Sequence, residues 1–207
     1  MKIIYLIRHS EGLKKKKDIL NTDSLQLVNE KNPLSVVGEE RARKLSEMEE
    51  FNNIDVVISS NYVRAIATAK YIASKNDVDV NIIESFGERK FGINSWYELP
   101  EDFEKKQLSD ETYKMPNGEN RLEVAGRMYE GLLKVVDNYY QDKIVILSHA
   151  TAITFLLMKL GEVREDGLFF NNKIVMEKEF SWNAPDIFKL TFDNKELIDI
   201  EHISLYF

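Results

Sequence analysis

Apolar runs and turn signals divide the chain into alternating short strands and longer helices. Ile3-Ile4-Tyr5-Leu6-Ile7 is continuously apolar and rich in β-branched residues. Such a run fits a strand buried on both faces, as in a parallel sheet. Asp55-Val56-Val57-Ile58-Ser59 and Lys143-Ile144-Val145-Ile146-Leu147-Ser148 repeat the pattern. Between these runs the period becomes helical. Gly38 to Phe51 opens near Ser35 and carries Glu39 and Glu40 early, where the positive end of a helix favours acids. Tyr62 to Ser74 sets Ala65, Ala69, Ile72 and Ala73 on one face. Glu119 to Tyr140 sets Val124, Met128, Leu132, Val135 and Val136 at helical spacing. Ala150 to Leu160 is nearly all apolar and predicts a buried helix. Val78 to Ile83 alternates and predicts a further strand. Phe188 to Phe192 and Leu197 to Ile200 flank Asp193-Asn194-Lys195, a hairpin pattern at a sheet edge.

This alternation predicts an α/β fold, a three-layer α/β/α sandwich with a mainly parallel sheet. Residues 85–118 show no clear period and contain Trp96, Pro100, Pro116 and Gly118. They are expected to form an irregular insertion over one end of the sheet, suited to a lid. One domain is expected across residues 1–207, with the insertion near 85–118 and the hairpin near 186–207.

Composition narrows the chemistry. Zero Cys in 207 residues excludes a disulfide framework, a Cys-ligated metal and a thiol nucleophile. With 28 Lys+Arg against 35 Asp+Glu, the net charge of −7 speaks against a general nucleic-acid binder. The first 17 residues nevertheless net +5, through Lys2, Arg8 and Lys14 to Lys17 against Glu11. A basic island in an acidic chain suggests a local anion site. The run ending at Arg8 is too short for a signal-peptide core, and no apolar stretch reaches membrane-spanning length. A cytoplasmic protein with no membrane or nucleic-acid partner is expected. The sequence specifies no oligomeric state.

Two of the three buried strands run into histidine: Arg8-His9 follows the first, and Ser148-His149 ends the 143–148 run. The second strand ends at Ser59-Ser60, with Arg64 one turn into the next helix. Ligands of open α/β sheets sit beyond the carboxyl ends of the strands. Arg8, His9, Arg64 and His149 can therefore converge. Two guanidiniums and two imidazoles suit a doubly charged tetrahedral anion such as phosphate.

Leu6-Ile7-Arg8-His9-Ser10-Glu11 resembles the Arg-His-Gly-Glu signature of the histidine phosphatase superfamily (branch 1), also called the phosphoglycerate mutase-like family. Pro33-Leu34-Ser35 with Gly38 resembles its helix opener, and Ser59 to Ala65 with Thr68-Ala69 its Ser-x-x-x-Arg-Ala-x-x-Thr-Ala element. Gly87 to Gly92 resembles the segment bearing its acidic residue, Gly118-Glu119 its Gly-Glu-Ser turn, and Ser148-His149-Ala150 its Ser-His-Gly. The six elements occur in family order across roughly residues 1–160. The chain departs from the pattern at Ser10 and Ala150, each in place of a glycine. Lys14 to Lys17 stand where mutases often have a phosphate-touching Asn.

The resemblance implies that His9 attacks phosphorus and carries the phosphoryl group as a phosphohistidine. Its other ring nitrogen should donate to a backbone carbonyl that fixes the tautomer. Arg8, Arg64 and His149 would neutralise the phosphoryl oxygens, with a possible further contact from the Ser10 hydroxyl. Glu88 is the expected acid for the leaving alkoxide, with Glu84 and Glu98 as nearby alternatives; partial burial could raise its pKa for that task. No metal is required and no cofactor is expected. The implied function is a phosphoric monoester hydrolase of the histidine acid phosphatase type, acting on a small phosphorylated metabolite. A phosphoglycerate mutase and a catalytically weak phosphate-binding regulatory module are the alternatives. Trp96, Tyr97 and Phe91 line the leaving-group pocket or form the insertion's own core. His202 is expected to be a surface or packing residue. Lys14 to Lys17 are expected to form a solvated loop that could draw in anions.

Overall fold

The computed structural model describes residues 1–14 and 23–205. Lys15, Lys16 and Lys17 lie outside the described residues. In chain order the elements are β1 (Lys2–Arg8), α1 (Leu25–Glu30), α2 (Val36–Glu47), β2 (Val56–Ser59), α3 (Val63–Asn76), β3 (Val80–Ile82), α4 (Phe103–Ser109), α5 (Arg121–Asn138), β4 (Lys143–Ser148), α6 (Ala150–Leu160), β5 (Glu162–Arg164), β6 (Gly167–Phe170), β7 (Lys173–Glu177), β8 (Asp186–Asp193) and β9 (Glu196–Ile203).

Six strands form the central sheet in the order β3-β2-β4-β1-β8-β9. The first four are mutually parallel; β8 and β9 join antiparallel at the β1 side. Period-two alternation along the buried strands builds the layers. Ile4, Leu6, Ile58, Ile144 and Ile146 face α5 and α6 in one core. Tyr5, Ile7, Val57, Val145 and Leu147 face α2 and α3 in the other. Both faces are covered, which is why the strands read as unbroken apolar runs. Asn194 and Lys195 both take positive φ, the two-residue turn that matches strand twist in a hairpin.

Local caps set the helix starts. Ser35 Oγ accepts from the Gly38 amide at 2.9 Å at the head of α2. A reciprocal capping box between Asn120 and Glu123 starts α5. Gly38 is held by packing: a Cβ there would lie 2.0 Å from the Glu11 carbonyl oxygen, so only glycine lets α2 approach the loop after His9.

Three features lie outside the sequence reading. The 85–118 insertion is only partly irregular, since it contains α4 and short 3-10 turns. The short helix α1 is capped by Ser24. Strands β5, β6 and β7 form a separate antiparallel sheet, whose Leu168 and Val175 join the α5/α6 core. Among the described residues no helix is long and apolar enough to cross a membrane.

Candidate active site

The sheet register brings the two histidines together. Arg8 of β1 lies opposite Ser148 of the parallel β4, and the His9 amide donates to the Ser148 carbonyl at 3.0 Å. His9 and His149 thus leave adjacent strands at the same level, with ring centroids 4.9 Å apart. On the other side of β4, the Ser60 amide donates to the Leu147 carbonyl at 3.0 Å, which starts α3 beside the same point.

Hydrogen-bond partners fix both tautomers, because a carbonyl can only accept and a guanidinium can only donate. His9 Nδ1 lies 2.6 Å from its neighbour's carbonyl, that of Ser10, and therefore donates. Its Nε2 accepts from Arg64 Nε at 2.8 Å. His9 is thus neutral, with its Nε2 lone pair turned into the site. His149 has the opposite tautomer. Its Nδ1 accepts from Arg64 Nη2 at 3.3 Å, so its Nε2 donates to Ser60 Oγ at 2.8 Å. Arg64 Nη1 donates to the Asn29 carbonyl at 2.6 Å, and the guanidinium lies over the Tyr62 ring.

Burial holds both imidazoles well below the ordinary value of 6.5. For His9 the charges of Arg64 and Arg8 add to burial, against the bond to the Ser10 carbonyl; for His149 the next largest influence is His9, followed by Arg64. A sign follows for stability. Below pH 6.5 the unfolded chain protonates these histidines while the folded chain does not, so stability falls with falling pH until the folded values are reached. Each residue contributes up to about 1.4 kcal/mol per pH unit in that window. Ring-proton NMR titration should place both midpoints well below 6.5; midpoints at the ordinary value would contradict the buried, charge-opposed arrangement.

Arg8 approaches from the β8 side. Its Nη1 donates to the carbonyls of Trp182 at 3.2 Å and Asn183 at 2.7 Å. Its Nε is buried and has no hydrogen-bond partner among the described residues. A buried donor without a partner is uncommon, and this one leaves a guanidinium N–H for an anion. Burial lowers both Arg8 and Arg64 from their ordinary value; Glu88 opposes this at both, and Asp186 also at Arg8.

Of the three candidate acids, Glu84 and Glu98 are exposed, whereas Glu88 is half-buried. Glu88 reaches the head of α6, one residue beyond His149. Its Oε1 accepts from the Ala152 amide at 3.1 Å and its own neighbour Arg89 at 2.9 Å; Oε2 accepts from the Thr151 amide at 3.4 Å. Oε2 is the freer oxygen.

Ser10 does not present its hydroxyl as expected. It is fully buried, and its Oγ donates to the Gly38 carbonyl at 2.7 Å while its amide donates to Thr68 Oγ1 at 3.0 Å. With its one proton held by Gly38, the hydroxyl is not a phosphate donor here. The side chain instead ties the His9 loop to α2. Ser10→Gly should lower stability by about 1 kcal/mol in denaturant unfolding and leave inhibition by inorganic phosphate within about twofold. A tenfold loss of phosphate inhibition would return Ser10 to the phosphate site.

Several site residues escaped the sequence reading of roles. Tyr62 packs 4.4 Å from the His149 ring, and burial pushes its hydroxyl up to about 12. Arg127 donates to the carbonyls of Ser85, Gly87 and Glu88 while paired with Glu119, so it fixes the backbone that carries Glu88. The Gly118-Glu119 motif was the available signal for this clamp. His202 does pack, against Phe180 and Phe188, and its Nε2 also donates to the buried Asp186 at 2.6 Å. Phe91 meets Trp96 edge-on and packs tilted against Phe103 in the insertion's own aromatic core, while Tyr97 is 81% exposed. Phe91 and Trp96 also line a small cavity that includes Asn29.

The mainly parallel sheet gathers two histidines and two arginines at its carboxyl edge, a set of groups suited to an anion such as phosphate. The chain belongs to the histidine phosphatase superfamily (branch 1), whose family model matches residues 4–172. It is 31% identical over 129 residues to a Bacillus subtilis (strain 168) protein named "uncharacterized phosphatase PhoE", covering 62% of this chain and 65% of that protein's length. It is 26% identical over 162 residues to the probable phosphoglycerate mutase GpmB of Escherichia fergusonii, covering 74% of this chain and 72% of that one. The Entamoeba histolytica phosphoserine phosphatase, solved with 3-phosphoglyceric acid, shares the fold with a TM-score of 0.71 at 22% identity, covering 99% and 98% of the two chains.

Proposed function

We propose that this chain is a metal-independent phosphomonoesterase that acts on a small phosphorylated metabolite through a phosphohistidine on His9. The observation that carries the reading is the His9 tautomer: Nδ1–H is held by the Ser10 carbonyl, and the Nε2 lone pair faces Arg64. Nε2 forms a bond to phosphorus as the bond to the ester oxygen breaks. Arg64 exchanges its bond to Nε2 for one to a phosphoryl oxygen, and Arg8 Nε supplies a second donor. Proton uptake at His149 Nδ1, favoured by a dianion, lets that ring donate as well. Glu88 gives a proton to the leaving oxygen, then takes one from the water that attacks the phosphohistidine and releases inorganic phosphate. The protein's contribution is positioning and charge stabilisation, which phosphoryl transfer chiefly needs.

The relative named as a probable phosphoglycerate mutase favours a second reading, in which the phosphohistidine returns its phosphoryl group to a bound sugar acid. Phosphorus NMR with p-nitrophenyl phosphate and 3-phosphoglycerate, in EDTA, separates the two. Phosphatase action releases inorganic phosphate from p-nitrophenyl phosphate. Isomerisation of phosphoglycerate without net phosphate release would overturn it in favour of the mutase, and phosphate binding with neither reaction in favour of a regulatory module. A panel of phosphorylated metabolites would then rank the alcohol halves.

A further inference from the structure

We infer that the apolar cavity between α6 and the β5–β7 sheet receives the alcohol half of the substrate, and that this half is an uncharged apolar body. The cavity holds about 460 Å³ and is lined by Phe155, Met158, Leu168, Met176, Phe180 and Trp182. That volume lies in the ordinary range for small-ligand sites. The inference rests on the phosphatase reading for the place of the phosphoryl group.

Continuity with the catalytic residues assigns the occupant. Ala150 and Thr151, which line the cavity, directly follow His149, and the Thr151 amide donates to Glu88. Trp182, on the opposite wall, accepts from Arg8 through its carbonyl. The cavity thus begins beside the proposed acid and the proposed phosphate ligand. It runs along α6 from Ala150 to Met158, about 12 Å at the helical rise per residue. An ester with phosphorus at His9 would have its leaving oxygen toward Glu88 and its alcohol chain directed into this space.

The wall chemistry selects the class. Arg89 binds Gln107 through Nη1 and Glu104 through Nη2, with its Nε unpartnered among the described residues, and Arg164 binds Glu162, so each guanidinium on the wall already faces a carboxylate. Glu177 and Lys178, one of each sign, are exposed. Between them the surface is aromatic and thioether, which adapts to varied apolar shapes.

Non-hydrolysable phosphonates test the cavity apart from catalysis. Calorimetry should find hexylphosphonate binding the native protein at least tenfold more tightly than ethylphosphonate, since each buried methylene is worth about fourfold. Met176→Trp, which fills the cavity from the sheet, should bring the two Kd values within about threefold. Met158→Trp gives the same reading from α6 if the first variant does not fold. Equal affinities in the native protein would overturn the inference and leave the phosphatase reading standing. A hexyl preference that survives a folded filling variant would also overturn it, by placing the apolar contact elsewhere. Failure of both phosphonates to bind would overturn the phosphate site itself, and the inference with it.

Discussion

His9→Ala is expected to reduce phosphate release from p-nitrophenyl phosphate by roughly 10⁴-fold or more. The size follows from what the side chain supplies. On the proposed route Nε2 makes the attack, and its lone pair is kept free of a proton by the bond from Nδ1 to the Ser10 carbonyl. Among the described residues, the nearest other imidazole cannot take over as it stands. His149 is 0% exposed, against 8% for His9, and its Nε2 proton is committed to Ser60. Steady-state assay in EDTA measures the loss, and circular dichroism checks that the variant folds. Brief incubation with labelled substrate should leave an acid-labile, base-stable label on the native chain and none on the variant. Undiminished turnover by folded His9→Ala would rule out the covalent route.

Glu88→Gln should show an effect graded by leaving group. Esters of simple alcohols need a proton on the departing oxygen, and loss of a positioned acid there costs about 10²- to 10⁴-fold. p-Nitrophenolate is a stable anion, so its ester should lose far less in the step that breaks the ester bond. The amide is close in size to the carboxylate, but it cannot reproduce both acceptor oxygens at the head of α6. Thr151, Ala152 and Arg89 donate to the two oxygens of Glu88, and an amide nitrogen placed against any of those amides would oppose it. A modest loss of stability is therefore expected together with the kinetic change. The comparison is made on kcat/KM for p-nitrophenyl phosphate against an alkyl phosphate. An equal loss on both would assign the proton transfer to another group, since an acid matters in proportion to the basicity of the oxygen it serves.

Much of the scaffold was legible because burial leaves a direct trace in residue type. A strand covered on both faces must be apolar at every position, and β1, β2 and β4 read that way. The helices beside them kept their periodic apolar faces, with ends shifted by one to four residues. The bounds of helix α6 match the sequence because it is apolar almost throughout. Strands β5 to β7 were not legible: they are three to five residues long, and β5 and β7 are mostly exposed, so no periodic stripe marks them. Helix α4 was hidden in the same way, since Phe103 and Gln107 are its only buried positions.

The candidate site divides along the same line. Arg8, His9, Arg64 and His149 were identifiable because parallel strands end at one edge and these residues stand at strand ends or one turn beyond. The Ser10 hydroxyl was misplaced because its partner, the Gly38 carbonyl, is 28 residues away and brought close only by packing. Arg127 and Tyr62 act through backbone carbonyls and ring contacts, which leave no spacing signature.

The sequence by itself determined the layered α/β architecture, the strand-end placement of Arg8, His9 and His149, and the family. These depend on local periodicity and on motif order, both written along the chain. Only the tertiary structure decided which nitrogen of each histidine carries the proton, which glutamate reaches the head of α6, and that an apolar cavity adjoins it. Those features come from contacts between segments distant in sequence, where the partner of a side chain is set by packing.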